Sequence, residues 1–145
     1  MPEKETLERA REDAREGKSP STQAGEFVRE EIHHVRDGKH GAVSARQAIA
    51  IGLSKARRAG VKLGTPKGSP KLKRKAALDN AAGEHPRRKV STKRSRATSN
   101  ALKHESRGTA SRKALSTEAR NVAAKRGRAA RRASAQKAAR TRKAA

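Results

Sequence analysis

Cysteine, tryptophan and tyrosine are absent from the 145 residues, and the single aromatic is Phe27. Without cysteine the chain has neither disulfides nor thiolate metal ligands. Without a set of aromatics it lacks the stacking platforms with which single-strand and RNA-recognition modules hold bases. Large apolar residues are scarce as well, because the 32% counted as hydrophobic is 28 alanines and only 18 Met, Phe, Leu, Ile and Val. Leu, Ile, Val and Phe together stay below the roughly 20% under which high charge predicts disorder. No apolar run approaches the ~20 residues of a membrane span. The acidic-rich start "MPEKETLERAREDAREG" carries no apolar segment of a secretory signal. A cytoplasmic location with no membrane partner is therefore expected.

Negative charge is the remaining shortage. Lys+Arg number 38 against 14 Asp+Glu, for a formal charge of +24, and such an excess calls for a polyanionic partner. The excess is unevenly placed. Residues 1–60 hold twelve Lys/Arg and ten Asp/Glu, whereas residues 61–145 hold 26 and four. Large apolar residues run the other way, with twelve of the 18 before Gly64.

Residues 3–16 have helix propensity and i,i+4 ion pairs but offer only Leu7, Ala10 and Ala14 to a core, which predicts a marginal, solvated helix. A second helix opens at Ser19-Pro20, a cap followed by proline in the first turn, and ends at Gly38. It aligns Ala24, Phe27, Val28, Ile32 and Val35 on one stripe. The best-specified helix lies in "SARQAIAIGLSKARRAG", residues 44–60. Ser44 with Gln47 fits a capping box, Ala45, Ala48, Ile49, Gly52, Leu53 and Ala56 share a face, and Gly60 suits a left-handed cap. Gly52 on that face costs about 1 kcal/mol of propensity relative to alanine, and close approach of another helix is the compensation expected.

These features predict a mostly α chain with extensive disorder. A small helical head, an antiparallel helix pair packed through Phe27, Val28, Ile32, Val35, Ile49, Gly52 and Leu53, precedes a long basic, disordered tail. The corresponding segments are a charged helix over 1–18, the head over 19–63, a Pro/Gly/Lys-rich linker over 64–90 and an Ala/Lys/Arg-rich tail over 91–145. A head this small is also expected to self-associate. Within the tail, "TSNALKHE" (98–105) and "SRKALSTE" (111–118) form a faint repeat.

The stretch "RQAIAIGLSKARRAG" resembles an uncharacterised bacterial domain family whose signature is a Gln-Ala-Ile-Ala-Ile-Ala-Leu-Ser helix after a Gly-Lys-rich loop. Gln47, Ala48, Ile49, Ala50, Ile51, Leu53 and Ser54 match, and Gly52 stands where alanine is commoner. The family has no assigned activity, so the resemblance implies no mechanism. The tail separately resembles, in composition, the Lys/Ala/Arg-rich tails of linker histones and bacterial histone-like proteins, which implies DNA as partner.

Phosphate contacts are expected from Lys71, Lys73, Arg74, Lys75, Arg87, Arg88, Lys89, Lys93, Arg94 and Arg96, and from Lys125, Arg126, Arg128, Arg131, Arg132, Lys137, Arg140, Arg142 and Lys143. Such contacts release condensed counterions and bind duplex DNA without reading sequence. A histone-like, nucleoid-associated protein that neutralises and bridges DNA follows. The same charge would serve RNA or a ribosome, and an adaptor whose head holds a protein partner is a further reading. His33, His34 and His40 lie close in sequence, but adjacent histidines leave a helix in different directions and no cysteine completes a set, so neither metal nor cofactor is expected. No catalytic triad, nucleotide loop or pocket-lined carboxylate pair is recognisable, and no enzyme is expected.

Overall fold

Serine starts five of the helices by the same local chemistry. In a computed structural model, which describes residues 1–85 and 91–144, the side chains of Ser19, Ser44, Ser69, Ser91 and Ser111 accept hydrogen bonds from the amides of Thr22, Gln47, Leu72, Arg94 and Ala114. Each satisfies one of the unpaired N–H groups of a first turn. The elements in order are α1 (Lys4–Arg15), α2 (Pro20–Arg36), α3 (Ala45–Arg58), α4 (Pro70–Glu84), α5 (Thr92–Lys103), a 3₁₀ turn (Gly108–Ala110), α6 (Arg112–Lys125) and α7 (Gly127–Ala144).

About 75% of the described residues are helical, which corrects the expectation of extensive disorder and a disordered tail after residue 64. Alanine, lysine and arginine rank among the strongest helix formers, and the serine caps lower the cost of starting each helix. Counting large apolar residues measures the capacity for a core. It says little about helices that form locally.

Two compact units result, Met1–Ala110 and Ser111–Ala145. In the first, α2 packs on α3 through a close approach: a Cβ added at Gly52 would stand 2.6 Å from Val28 Cα, in the backbone of the facing helix. Ala45, Ala48 and Ala56 are buried on the same side of α3, while Ile49 and Leu53 are half-buried at its margin. Small residues rather than isoleucines thus make the contact. Gly60, at φ 96°, closes α3, with Gly60 N–H bonded to Arg57 C=O at 3.0 Å and Val61 N–H to Ala56 C=O at 3.1 Å. This is the paired bonding of a Schellman cap.

The head is more than a helix pair. Helix α1, expected to be solvated, buries Thr6 and Ala10 and contributes to a core of Ala10, Ala24, Phe27, Ala56 and Val61, against which Leu7, Leu53, Ala59 and Leu63 pack. Arg9 Nε donates to Glu26 Oε2 at 2.6 Å across the α1–α2 seam.

Helix α4, expected in a linker, docks on α3. Its Asp79 is 3% exposed and accepts from Ser54 Oγ and Arg58 Nε, both at 2.7 Å, and from Lys75 Nζ at 3.0 Å. Ala76 is buried beside it, and Gly83 lies against the Arg57 carbonyl where a Cβ would collide.

Residues 102–110 dock on the α2–α3 loop. Gly41 and Ala42 amides donate to Leu102 and Ser106 carbonyls at 2.7 and 3.0 Å, and Arg36 Nε donates to the Ala110 carbonyl at 2.9 Å. The faint repeat has no structural counterpart, since its first copy ends α5 and its second begins α6.

The second unit is α6 and α7, which touch each other and are joined at Gly127, φ 74°. None of its described side chains is buried.

Candidate nucleic-acid interface

Every described lysine and arginine of the expected phosphate-contact set is exposed. Lys71, Lys73, Arg74 and Lys75 project from α4, and Lys93, Arg94 and Arg96 from α5. Lys125 ends α6, Arg126 caps it, and Arg128, Arg131, Arg132, Lys137, Arg140, Arg142 and Lys143 line α7. Arg87, Arg88 and Lys89 lie outside the described residues. Lys75 is partly committed, because its ammonium pairs with Asp79.

Helix α7 contains no acidic residue. At 3.6 residues per turn, Arg128, Arg131, Arg132, Arg142 and Lys143 fall within an arc of about 120° on a helix about 27 Å long. Arg112, Lys113 and Arg120 on α6 are exposed too, although the sequence does not single them out. The sparser basic spacing there conceals them. The second unit holds twelve Lys/Arg and one Glu in 35 residues.

Phe27, the single Phe, Tyr or Trp, is 1% exposed in the core, so no such ring is available to stack a base. Arg57 is buried, and Arg58 is held by Asp79, which gives Arg58 a part in seating α4.

A second polar constellation lies inside the head, where sequence alone did not place one. Glu30 and Glu31 on α2 are 4% and 0% exposed, and Lys55 of α3 reaches both, Nζ standing 2.9 Å from Glu30 Oε1 and 2.7 Å from Glu31 Oε2. Burial would raise the Glu30 carboxyl, but the Glu3 amide at 2.9 Å and the Lys55 ammonium outweigh it and hold the group below its ordinary value. Burial likewise opposes the Lys55 charge, and the two carboxylates overcome it and raise that pKa. Glu3 is held down to about 2 by Lys39 and His34, each 2.8 Å away. His34 and His40 meet edge to face, ring centroids 6.0 Å apart, while His33 is exposed. The helical spacing Glu31-x-x-His34 is the signal for this cluster, and comparing the histidines alone conceals it.

Residues 16–67 match a protein family of unknown function, DUF6496. The match covers α2, α3 and the segment leading from α3 to Lys67, about a third of the chain. No curated protein and no solved structure matches the sequence. Among the described residues, no helix is long and apolar enough to cross a membrane.

Proposed function

We propose that this chain is a DNA-binding protein of histone-like character that engages duplex phosphates without reading sequence, neutralising and bridging the DNA. The observation that carries the reading is α7, an exposed helix with no acidic residue and five cationic side chains on one narrow face. Cations held along a rod displace counterions from a duplex whose own charges recur about every 1.7 Å. Basic residues on α4 and α5 supply a second set in the other unit, and two attachment points on one chain are what bridging needs. A buried Phe27 favours backbone contact over base stacking. A bacterial, cytoplasmic and nucleoid-associated setting suits this chemistry and the compositional likeness of the basic region to linker-histone tails.

The test is fluorescence anisotropy of the full chain on duplexes of unrelated sequence across salt concentrations. Affinity is expected to be similar for all of them and to fall by ~10³ to 10⁵ between 50 and 200 mM salt, as for ligands with six to ten phosphate contacts. A shallow slope or strong preference for one duplex would overturn the reading. Stronger competition by structured RNA than by duplex DNA at equal phosphate would transfer it to RNA.

A further inference from the structure

We propose that Glu31, His34 and His40 form a binding site for a divalent transition-metal ion, zinc being the best fit, at the junction of α2 and the α2–α3 loop. One ligand atom from each residue lies within 4.8 Å of the others. Glu31 and His34 are i,i+3 on α2 and share a face. His40 returns to them after the chain turns at Gly38, φ 75°. Glu31 Oε1 and His40 Nε2 are 3.2 Å apart, close to the separation of two ligands on one tetrahedral ion with bonds of about 2.0 Å.

The protonation pattern points the same way. His40 Nδ1 is 3.0 Å from the Gly41 carbonyl, which can only accept, so Nδ1 carries the hydrogen. In the neutral ring Nε2 therefore turns its lone pair toward a carboxylate oxygen, and a cation between them removes the repulsion. A backbone carbonyl on the far ring nitrogen is the usual partner of a ligating imidazole. Glu3 Oε1, 2.8 Å from His34 Nε2, is a carboxylate partner to the second ring.

Glu31 itself is fully buried, and neither of its oxygens receives an aligned hydrogen bond. Lys55 neutralises Oε2 at 2.7 Å and leaves Oε1 facing the histidines. Around the site Lys39 pairs with Glu3, and Lys55 pairs with Glu30 and Glu31. Two imidazoles and one carboxylate suit zinc or its neighbours rather than calcium or magnesium, which take all-oxygen sets. An ion here would pin the loop whose Gly41 and Ala42 hold residues 102–106, so it would also firm the docking of the segment that follows α5.

Full-length protein stripped with chelator and free of nucleic acid is titrated with zinc sulfate by calorimetry, and with cobalt(II) by visible absorption. One ion per chain, a raised Tm and a cobalt ligand-field spectrum are expected. The double variant His34→Gln/His40→Gln is expected to bind at least about 100-fold more weakly, since losing even an outer-shell partner costs 10- to 100-fold, while His33→Gln binds as the parent does. The partly exposed His40→Gln, alone, provides the same comparison where the double variant fails to fold. Absence of stoichiometric binding, equal affinity in the His34 and His40 variants, or an equal loss in His33→Gln would each overturn the site.

Discussion

The same substitution should have opposite effects at two glycines of the head. Gly25, inside α2, has nothing within 4 Å of an added Cβ, so Gly25→Ala should stabilise by about 0.5–1 kcal/mol through helix propensity. Gly52→Ala gains the same propensity but sets its Cβ against the Val28 backbone. Overpacking of about 1–3 kcal/mol should outweigh the gain and lower the urea midpoint. Lys55 is the other decisive residue. Lys55→Met would leave Glu30 and Glu31 buried without their cation, and removing one partner of a buried pair costs about 3–5 kcal/mol. Chemical denaturation of these variants checks each expectation.

Stability should also follow pH in a way set by two buried carboxylates and the half-buried Lys55. Glu30 and Asp79 titrate below their ordinary 4.5 and 3.8, so their contribution is present above those values and drains as pH falls through the lower folded ones. For Asp79, burial opposes the charge and the Ser54, Lys75 and Arg58 contacts overcome it. Lys55 titrates above 10.5, so its contribution is present below that value and is lost as pH rises through the folded one. Thermal melts should show a plateau from about pH 5 to 10 with a decline on each side. Asp79→Asn should flatten part of the acid limb.

Among the elements, α4 and α6 show how little apolar surface a helix needs when local chemistry agrees with it. Ser69-Pro70 repeats the Ser19-Pro20 start of α2, a cap followed by proline at the first helical position. That start is legible in the sequence, but two glycines and two prolines crowd residues 64–70 and give the stretch the look of a linker. Helix α6 has no buried residue, so its start should depend on its cap. Ser111→Ala is expected to cost about 1 kcal/mol locally. Amide exchange at Ala114 and Leu115 should quicken about fivefold by that amount, with the melting of Met1–Ala110 unchanged.

For the whole molecule, the boundary between the two compact units decides where a truncation is informative. Cutting at residue 64 would remove Asp79 from Arg58 and expose the face of α3 that α4 covers, so lost DNA binding would be confounded with a damaged head. Cutting after Ala110 leaves the first unit intact and lowers the formal charge from +24 to +13. Binding should weaken, and the salt slope should flatten in proportion to the number of phosphates no longer neutralised. An unchanged slope would place the phosphate-binding cations on α4 and α5 instead of α7.

Local chemistry made three things legible in the sequence, namely the charge, the exposure of the described phosphate-contact lysines and arginines, and the bounds of α2 and α3, through ionisation, caps at Ser19 and Ser44, glycine turns at Gly38 and Gly60, and a 3.6-residue stripe. Helix-forming composition and serine caps are equally present after residue 64, yet a rule based on large apolar content hides them. Tertiary packing alone brings α1 and α4 to the head, Gly52 to Val28, and Glu31 to Lys55 and His40. Those contacts join residues nine to several dozen positions apart, and they depend on how closely small side chains let two backbones approach. No periodicity in a single helix records that distance.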